Sequence, residues 1–293
     1  MDRGNKTPAT ECRFLDVSHF DLVLQKFIEA FADYSYQFEF DSIRFRNHIN
    51  VNAVDLDRSI GCFQGEEMIG FSLNGFGEWE GKRTVYDAGT GVIPSRRRLG
   101  ASEAMFAMMT PFFKQNGFEQ FLLEVIVENT PAVTLYKKLG FEIERELLFM
   151  EARDRFQPDL AANQDVEVRR VSADELSAMT SGWDGKPSWQ NSIDAIKRSE
   201  PLKTILGAFC GGEMAGYIAF SNGLGRVAQL FVRPSCRSRG IGSRLLAEMD
   251  AVTIDGARMQ VINIDKSLTG PVRFLENRGF VKVLAQYEML MPL

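Results

Sequence analysis

The same strand, loop and helix signature occurs twice in this chain of 293 residues, and residue numbers in the second copy exceed those in the first by 140. The offset takes Arg97 to Arg237 and Gly100 to Gly240. A single short glycine-rich pattern arises easily by chance, whereas two in register indicate a shared structure. Two copies at this spacing predict a duplicated domain rather than a solenoid of many repeats.

Each copy reads as an apolar strand end, a turn with proline, a basic glycine-rich loop and an amphipathic helix. Glycine at a strand-to-helix turn lets the backbone approach a ligand closely. The free N–H groups of the first helical turn and the helix dipole favour an anion, and arginine adds charge-assisted donors. The pattern therefore predicts two pyrophosphate sites. The candidate residues are Val92, Ile93, Arg97, Arg98, Leu99, Gly100, Ala101 and Ser102 in the first copy, and Phe231, Val232, Arg237, Ser238, Arg239, Gly240, Ile241, Gly242 and Ser243 in the second.

Both segments resemble motif A of the GNAT superfamily, the Gcn5-related N-acetyltransferases, in which R/Q-x-x-G-x-G/A binds the pyrophosphate of acetyl-CoA. The second copy matches at every position, whereas the first has Ser102 where the family has Gly or Ala. Serine keeps its backbone N–H and suits a helix N-terminus, so we expect binding to be weakened at most. Because Gly242 permits a closer backbone approach than Ser102, the second loop is predicted to bind CoA more tightly.

The resemblance implies a mixed α/β (α+β) fold with two tandem GNAT-like domains. Each would have a central, mixed but mostly antiparallel, twisted sheet flanked by helices. The predicted boundaries are residues 11–150 for the N-terminal domain, 151–165 for a linker and 166–293 for the C-terminal domain.

A second repeated segment begins at Gly65 and at Gly211, where the offset is 146, so the first copy carries longer insertions early on. In GNAT enzymes this early region recognises the acceptor. Here it is rich in aromatic residues between Tyr34 and Phe45. Most of these rings are expected to cover the sheet, with one or two facing the pocket.

The segment from Asn129 to Phe141 resembles GNAT motif B. The resemblance implies that Tyr136 acts as the general acid beside the CoA sulfur and that Asn129 contacts the pantetheine arm. A tyrosine with a pKa of about 10 is protonated at neutral pH, as a donor to a thiolate must be. The alternative is that the ring only packs against the CoA arm. In the second copy Leu275 occupies the position of Tyr136 and cannot donate a proton.

Acetyl transfer also needs a neutral amine, and hence a general base. Asp87 and Glu124 are the candidates, since both lie on predicted strands beside the first phosphate loop. Each could equally be a solvated or paired strand carboxylate. Gln229, on the strand before the second loop, cannot serve as a base.

Three local patterns give further expectations. Ser18 is predicted to cap the first helix, and Gly75–Lys82 is predicted to form a turn. Pro111 is predicted to end or kink the helix that follows the first phosphate loop.

The net charge of −5 argues against broad nucleic-acid binding, despite the basic run Arg96–Arg98. The four cysteines form no C-x-x-C pair and the two histidines lie near no other ligand type, so no metal is expected. Reduced thiols in a cytoplasmic protein are expected instead. The first ten residues lack the apolar core of a signal peptide, and no stretch approaches the about 20 apolar residues of a membrane span.

Together these patterns predict an acetyl-CoA-dependent N-acetyltransferase that acts on a small-molecule or protein amine. The N-terminal domain is favoured as catalytic, because it alone has Tyr136. The alternatives are a catalytically silent CoA-binding regulatory or scaffold protein, and catalysis in the C-terminal domain. The chain is expected to be a monomer, as a pseudo-dimer of two domains, or a homodimer, without a nucleic-acid or membrane partner.

Overall fold

The chain forms two compact units in the computed structural model, which describes residues 9–34, 40–154, 166–254 and 257–293. Unit 1 contains Met1–Glu124, Thr130–Glu142 and Met289–Leu293, and unit 2 contains Val125–Asn129 and Ile143–Glu288. The units therefore do not follow the order of the sequence, because the segment from Ile143 joins unit 2 and the last five residues join unit 1. Most of the predicted linker, residues 155–165, lies outside the described residues.

Unit 1 has a sheet in the order β1-β2-β3-β4-β5, whose neighbours are antiparallel except for the parallel pair β4 and β5. The α2 helix spans the residues predicted for it, and α4 begins at the predicted Thr130. The elements are β1 (Thr10–Phe14), α1 (Phe20–Phe31), α2 (Ser42–Val51), β2 (Ile60–Gln64), β3 (Glu67–Trp79), β4 (Lys82–Val92), α3 (Ala101–Gln115), β5 (Gln120–Ile126, in this unit as far as Glu124) and α4 (Thr130–Leu139).

Unit 2 has the strand order β12-β6-β11-β10-β9-β8-β7, in which β10 and β11 form a parallel pair. The predicted mixed, mostly antiparallel sheets with helices are thus confirmed. The elements are β6 (Glu142–Ala152), β7 (Glu167–Arg170), α5 (Ala173–Ser177), α6 (Ile193–Arg198), β8 (Lys203–Cys210), β9 (Glu213–Ser221), β10 (Arg226–Val232), α7 (Ile241–Val252), β11 (Gln260–Asp265), α8 (Thr269–Glu276) and β12 (Phe280–Pro292, in this unit as far as Glu288).

The predicted turn over Gly75–Lys82 is wrong, because β3 continues to Trp79 and the turn is confined to Glu80-Gly81. Gly75 is required for a different reason. A Cβ atom at this position would lie 2.0 Å from the carbonyl oxygen of Asn52, so the chain that follows α2 crosses β3 in direct contact with its backbone. Glycine within a strand here marks a close backbone approach rather than a turn.

The α3 helix does not end at Pro111, because it continues to Gln115, whereas a kink at Pro111 stays a prediction. The burial of Phe113 in the core of unit 1 offsets the hydrogen bond that proline removes. At α1, the predicted cap Ser18 lies inside a short 3₁₀ turn. Asp16 caps that turn instead, since its carboxylate accepts the Ser18 N–H.

The aromatic residues of the early region pack on one another and on the sheet of unit 1. Phe27 of α1 lies 5.6 Å from Phe71 of β3 and 5.3 Å from Phe45 of α2, measured between ring centroids. Phe40 lies 4.8 Å from Phe27 in the same cluster. Of the remaining aromatics in this stretch, residues 36 and 38 lie outside the described residues.

The expectation of four reduced thiols is wrong for one pair. Cys12 and Cys62 face each other across the antiparallel strands β1 and β2 and form a disulfide. Their Cα atoms lie 4.1 Å apart, because the strand register places the two residues directly opposite. Cys210 and Cys236 are free and half-buried.

Titration of the denatured, unreduced protein is expected to give two reactive thiols per chain, and four after reduction. The Cys12→Ser/Cys62→Ser double variant should lower the free energy of unfolding by about 2–4 kcal/mol, because the disulfide limits the entropy of the unfolded chain. Cys210→Ser serves as the control and should leave denaturant unfolding close to that of the wild type. Four reactive thiols before reduction would contradict this prediction.

Candidate active site

A bulge in β4 shapes the site of unit 1. Leu73 of β3 faces Gly89 and Asn74 faces Asp87, so Ala88 is an extra residue in β4. Bulges of this kind bend a strand and are common beside active sites. The parallel register between β4 and β5 ends at Asp87, so the last residues of β4 separate from β5 beside the phosphate loop.

Asp87 is a buried carboxylate at this bulge, with 7% of its surface exposed. The Gly89 N–H donates to Oδ1 at 2.9 Å, and the Thr90 hydroxyl donates to Oδ2 at 2.8 Å. Burial raises the pKa of Asp87 to about 6, although the hydrogen bonds from Thr90, Gly89 and Tyr136 favour the charged form. A carboxylate with this pKa is ionised at neutral pH and can accept a proton from an ammonium group.

Tyr136 of α4 lies beside Asp87, and its phenol donates to Asp87 Oδ2 at 3.5 Å. Its ring packs against Phe106 and Phe141, with centroids 5.9 and 5.6 Å away. Burial raises the pKa of Tyr136 well above 10, and the nearby charge of Asp87 raises it further. The phenol therefore remains protonated across the physiological range, as a general acid for a thiolate must be.

Glu124 of β5 occupies a different environment from Asp87. The Tyr86 hydroxyl donates to its Oε2 atom, so the carboxylate is paired with a phenol on the neighbouring strand. The structure thus brings two of the three catalytic candidates, Asp87 and Tyr136, into direct contact and pairs Glu124 with Tyr86.

Both phosphate loops adopt the same backbone conformation. Arg98 and Ser238 have φ angles of 64° and 59°, and Gly100 and Gly240 have φ angles of 80° and 75°. The α3 and α7 helices begin directly after these glycines, and no side chain among the described residues caps either start. The first-turn N–H groups are thus available to an anion, which fits the pyrophosphate that the motif predicts.

One arginine of each loop, however, is engaged with a carboxylate. Arg97 donates to both oxygens of Asp33, at 2.5 and 2.8 Å, and Arg237 donates to both oxygens of Asp184, each at 2.8 Å. Each arginine also donates from Nε to a carbonyl at the end of the preceding strand. The guanidinium groups of Arg97 and Arg237 therefore brace the two loops, and the backbone N–H groups of the first helical turn remain available as anion donors.

Unit 2 contains a cavity of about 500 Å³ between β10, β11, α7, α8 and the loop after Trp183. The strand β10 has the same bulge as β4, at Ala228, but Val227 takes the place of Asp87. Leu275, which takes the place of Tyr136, is 3% exposed and lines the cavity. Both groups that could transfer protons in unit 1 are thus aliphatic in unit 2.

Comparison with known proteins identifies the two repeats. The model of the acetyltransferase (GNAT) family matches residues 20–141, and that of the acetyltransferase (GNAT) domain matches residues 184–289. The chain belongs to the GNAT acetyltransferases. It has two GNAT acetyltransferase domains in tandem, one for each copy of the repeat.

Two solved structures share the fold of this GNAT protein, and one curated protein is similar to it over part of its length. A tandem GNAT protein from the clavulanic acid biosynthesis pathway has a TM-score of 0.73 at 14% identity, covering 97% of this chain and 98% of its own. A GCN5-related N-acetyltransferase from Sphaerobacter thermophilus has a TM-score of 0.74 at 14% identity, covering 97% and 95%. "Probable N-acetyltransferase san" from Drosophila melanogaster is 37% identical over 65 residues, which are 22% of this chain and about a third (35%) of that relative.

Several residues of this GNAT protein's sites carried no signal in the sequence. His48 donates from Nε2 to the Ala88 carbonyl at 2.7 Å when that nitrogen is protonated, and so holds the β4 bulge. Asp33 and Asp184 lie 64 and 53 positions before the arginines that they pair with. Because these two separations differ, the repeat itself does not reveal the pairs.

Two further polar residues of the GNAT sites, Asn129 and Gln229, are hydrogen-bonded within their own units. Asn129 precedes α4, and its N–H donates to the Ile126 carbonyl at 2.9 Å. In unit 2, Gln229 accepts from Tyr217 at 2.7 Å and donates to the Asn191 carbonyl at 2.6 Å. Trp183 donates to the Tyr217 hydroxyl at 2.9 Å, so this polar network is internally satisfied.

Among the described residues, no group of His, Cys, Asp and Glu could hold a metal ion, and no helix combines the length and apolarity that a membrane crossing needs.

The structure gives Gly242 a role in packing. A Cβ atom at this position would lie 2.9 Å from Cζ of Phe274, which packs across the first turn of α7. The Phe274 ring therefore explains the glycine without reference to a ligand. The tighter binding predicted for the second loop stays a prediction.

Gly242→Ala is expected to lower the free energy of unfolding by about 1–3 kcal/mol, because the methyl group must displace the Phe274 ring. The matched control is Gly270→Ala in α8, where an added Cβ meets nothing within 4 Å. That control should be neutral or stabilising, since alanine favours a helix by up to about 1 kcal/mol over glycine. Urea unfolding of both variants tests this, and equal midpoints would contradict it.

Proposed function

We propose that acetyl transfer takes place in unit 1, with Asp87 as the general base and Tyr136 as the general acid. The observation that carries this proposal is the contact between these two groups in unit 1, set against Val227 and Leu275 at the same positions of unit 2. Acetyl-CoA would supply the thioester. The N–H groups at the start of α3 would hold its pyrophosphate, and Asn129 would contact its pantetheine arm.

Asp87, Tyr136 and water account for every proton that moves in the proposed reaction. Asp87 takes one proton from the ammonium form of the acceptor, and the neutral amine attacks the thioester carbon. The nitrogen loses a second proton to water as the C–S bond breaks. Tyr136 donates its phenolic proton to the departing sulfur. Asp87 then returns its proton to Tyr136 across the 3.5 Å contact, so both groups regain their starting states.

The acceptor in this proposal is an amine of a small molecule or an exposed amine of a protein. The aromatic cluster around Phe27, Phe40 and Phe45, with His48 at its edge, covers the sheet beside the β4 bulge. Unit 2 has the second glycine-rich loop and a cavity beside it, but it lacks both proton-transfer groups. Its proposed role is therefore to bind a ligand without transferring acetyl. The chain would act as a monomer with two unequal domains, or as a homodimer of them.

The test combines turnover with a matched pair of loop variants. Thiol release from acetyl-CoA is measured across small amines and across peptides with free α-amino or lysine groups. Gly100→Glu is expected to abolish turnover, whereas Gly240→Glu should retain it. Both glycines have the same left-handed backbone conformation, so the two variants carry a similar backbone cost. Circular dichroism verifies that each variant is folded.

The opposite pattern, with turnover lost only in Gly240→Glu, would move the chemistry to unit 2. A second candidate function is CoA binding without turnover, which unit 2 supports because it combines a phosphate loop with Val227 and Leu275. CoA binding by both loops with no acetyl transfer over the whole amine panel would favour that function.

A further inference from the structure

A row of polar side chains leads from Asp87 into the buried interior of unit 1. The Thr90 hydroxyl oxygen lies 2.8 Å from Oδ2 of Asp87 and 2.9 Å from the hydroxyl oxygen of Ser72. The Ser72 hydroxyl in turn lies 3.4 Å from Oδ1 of Asn74. The strand register places Ser72 opposite Thr90 and Asn74 opposite Asp87, and both residues of β3 are fully buried. We call these four residues the hydroxyl chain.

Unit 2 has an apolar residue at each of these four positions. Leu230 faces Ile218 and Val227 faces Phe220 across β9 and β10, with the same bulge between the two pairs. Three of these side chains lie in the hydrophobic core of unit 2, and Leu230 packs against it. The hydroxyl chain thus occurs in the unit that has the carboxylate, and an apolar core replaces it where valine replaces the carboxylate.

Both ends of the hydroxyl chain are fixed by other hydrogen bonds. Nδ2 of Asn74 donates to the carbonyls of Arg58 and Ser72, at 3.2 and 3.4 Å, and these bonds hold Oδ1 toward the Ser72 hydroxyl. At the other end, the Gly89 N–H donates to Oδ1 of Asp87, so a proton on the carboxyl group belongs on Oδ2. Oδ2 accepts hydrogen bonds when Asp87 is charged and donates one when it is protonated.

The hydroxyl chain can run in two directions, because a hydroxyl has one proton and Thr90 donates to one neighbour at a time. When Asp87 is charged, Ser72 donates to Thr90 and Thr90 donates to Oδ2. When Asp87 is protonated, Oδ2 donates to Thr90 and Thr90 donates to Ser72. The Ser72 proton then points at Oδ1 of Asn74. Every hydroxyl proton has an acceptor in both states, and the direction of the bonds is what changes.

We propose that Ser72 is a positioning residue for the general base, because the reversible hydroxyl chain lets Asp87 hold the proton that it takes from the acceptor ammonium group. The proton stays on Oδ2 until the phenolate of Tyr136 takes it, and the hydroxyl chain then returns to its first direction. Asp87 gains one proton and loses it again, and no other covalent bond of the hydroxyl chain changes. This inference rests on the proposed role of Asp87 and adds the residues that stabilise its protonated state.

The titratable side chain that faces the Asp87 carboxylate is Tyr136 of α4, at 3.5 Å. His48 of α2 and Glu124 of β5 are hydrogen-bonded to other groups. From β3 the carboxylate faces the uncharged Asn74. A change at the buried hydroxyl of β3 therefore alters the proton affinity of Asp87 through hydrogen bonds rather than through charge.

Ser72→Ala removes a different partner from each state of Asp87. The charged state loses a donor to the Thr90 oxygen, whereas the protonated state loses the acceptor of the Thr90 proton. A buried proton without an acceptor is the costlier loss, so the pKa of Asp87 should fall by about one unit. The acidic limb of kcat/KM should move to lower pH by the same amount. Thr90→Val should move it the other way, since that change removes the charge-assisted donor itself.

Ser59→Ala is the matched control. The Ser59 hydroxyl is equally buried in unit 1, but it bonds to the Asn74 N–H and the Asp55 carbonyl and not to the hydroxyl chain. The control should lose stability and keep the limb in place. In a Thr90→Val background, Ser72→Ala should move the limb no further, because the hydroxyl chain is already interrupted. Ser72→Cys fills the same space with a weak acceptor and should lower the limb as well, which covers an alanine variant that fails to fold.

Urea unfolding gives a readout that needs no turnover. The folded pKa of Asp87, about 6, lies above the ordinary value of 3.8, so its stabilising contribution is lost as pH rises through 6. A lower folded pKa in Ser72→Ala reduces that loss. The difference between the free energies of unfolding at pH 5 and pH 8 should therefore be smaller in Ser72→Ala than in Ser59→Ala.

The two readouts separate failure of this proposal from failure of the proposed function. A wild-type profile without the acidic limb would refute Asp87 as the base, and with it the role of Ser72 in catalysis, even if the unfolding data follow the expectation. A wild-type limb that Ser72→Ala leaves in place or moves to higher pH would overturn the proposal while Asp87 remains the base. A shift by Ser72→Ala that persists in the Thr90→Val background would also overturn it, because the effect would not pass through the hydroxyl chain.

Discussion

Tyr136→Phe is expected to lower kcat by about 10²–10⁴-fold and to leave CoA affinity nearly unchanged. The change removes the phenolic proton, whereas the ring that packs against Phe106 and Phe141 remains. General acid assistance is typically worth that factor. The measurement is the initial rate of thiol release on an acceptor found in the amine panel, together with CoA titration by calorimetry.

The matched control is Tyr287→Phe, the same chemical change on a half-buried residue of β12. It should retain the wild-type kcat. The pH dependence gives a second readout, because the phenol with its strongly raised pKa cannot account for any limb of the wild-type profile below pH 8. Full activity of Tyr136→Phe would leave water, or the amine itself, as the proton source.

Asp87→Asn is expected to lower kcat by about 10²–10⁴-fold, because the amide cannot take a proton from the acceptor ammonium. The wild-type kcat/KM should rise with pH as Asp87 ionises and should level off above its pKa of about 6. This limb should be absent from the residual activity of the variant. Retention of the limb in Asp87→Asn would assign it to another group.

Thr90→Val tests whether the Thr90 hydroxyl lowers the pKa of Asp87. The Thr90 hydroxyl donates to the Asp87 carboxylate at 2.8 Å and favours its charged form. Its removal should raise the Asp87 pKa further, so the acidic limb should move to higher pH while the maximal rate is retained. A limb that stays in place would show that the hydroxyl does not stabilise the carboxylate.

The pH dependence of the free energy of unfolding should reveal the protonation of Asp87 without a turnover assay. The folded pKa of Asp87 is about 6 and its ordinary value is 3.8, so the folded state holds the proton more tightly than the unfolded state. The stabilising contribution of Asp87 to the free energy of unfolding is therefore fully present below pH 3.8. It is lost as pH rises through 6. The loss is about 3 kcal/mol by pH 8. Asp87→Asn should flatten this dependence in urea unfolding at pH 5 and pH 8.

The sequence alone determined the duplication, both glycine-rich loops between a strand and a helix, and the position of Tyr136 on its helix. These features are local, because helix periodicity, a proline at a helix start and glycines at a strand-to-helix turn are written within one short segment. The start of α4 at Thr130 and the bounds of α2 followed the same rules. The sequence also showed that Leu275 replaces Tyr136 in the second copy, because the two residues lie at the same distance before the Gly-Phe pair of each copy.

Only the tertiary structure decided which groups meet. Asp87 and Tyr136 lie 49 positions apart, and Glu124 was an equal candidate until the strands placed it against Tyr86. The pairing of Arg97 with Asp33 depends on how α1 packs beside the loop, which no local spacing encodes. Gly75 illustrates the same limit, because a glycine needed for a passing backbone has the same local signature as a turn glycine. Local patterns specify elements, whereas contacts between distant elements arise from burial and sheet register, which act on the whole chain.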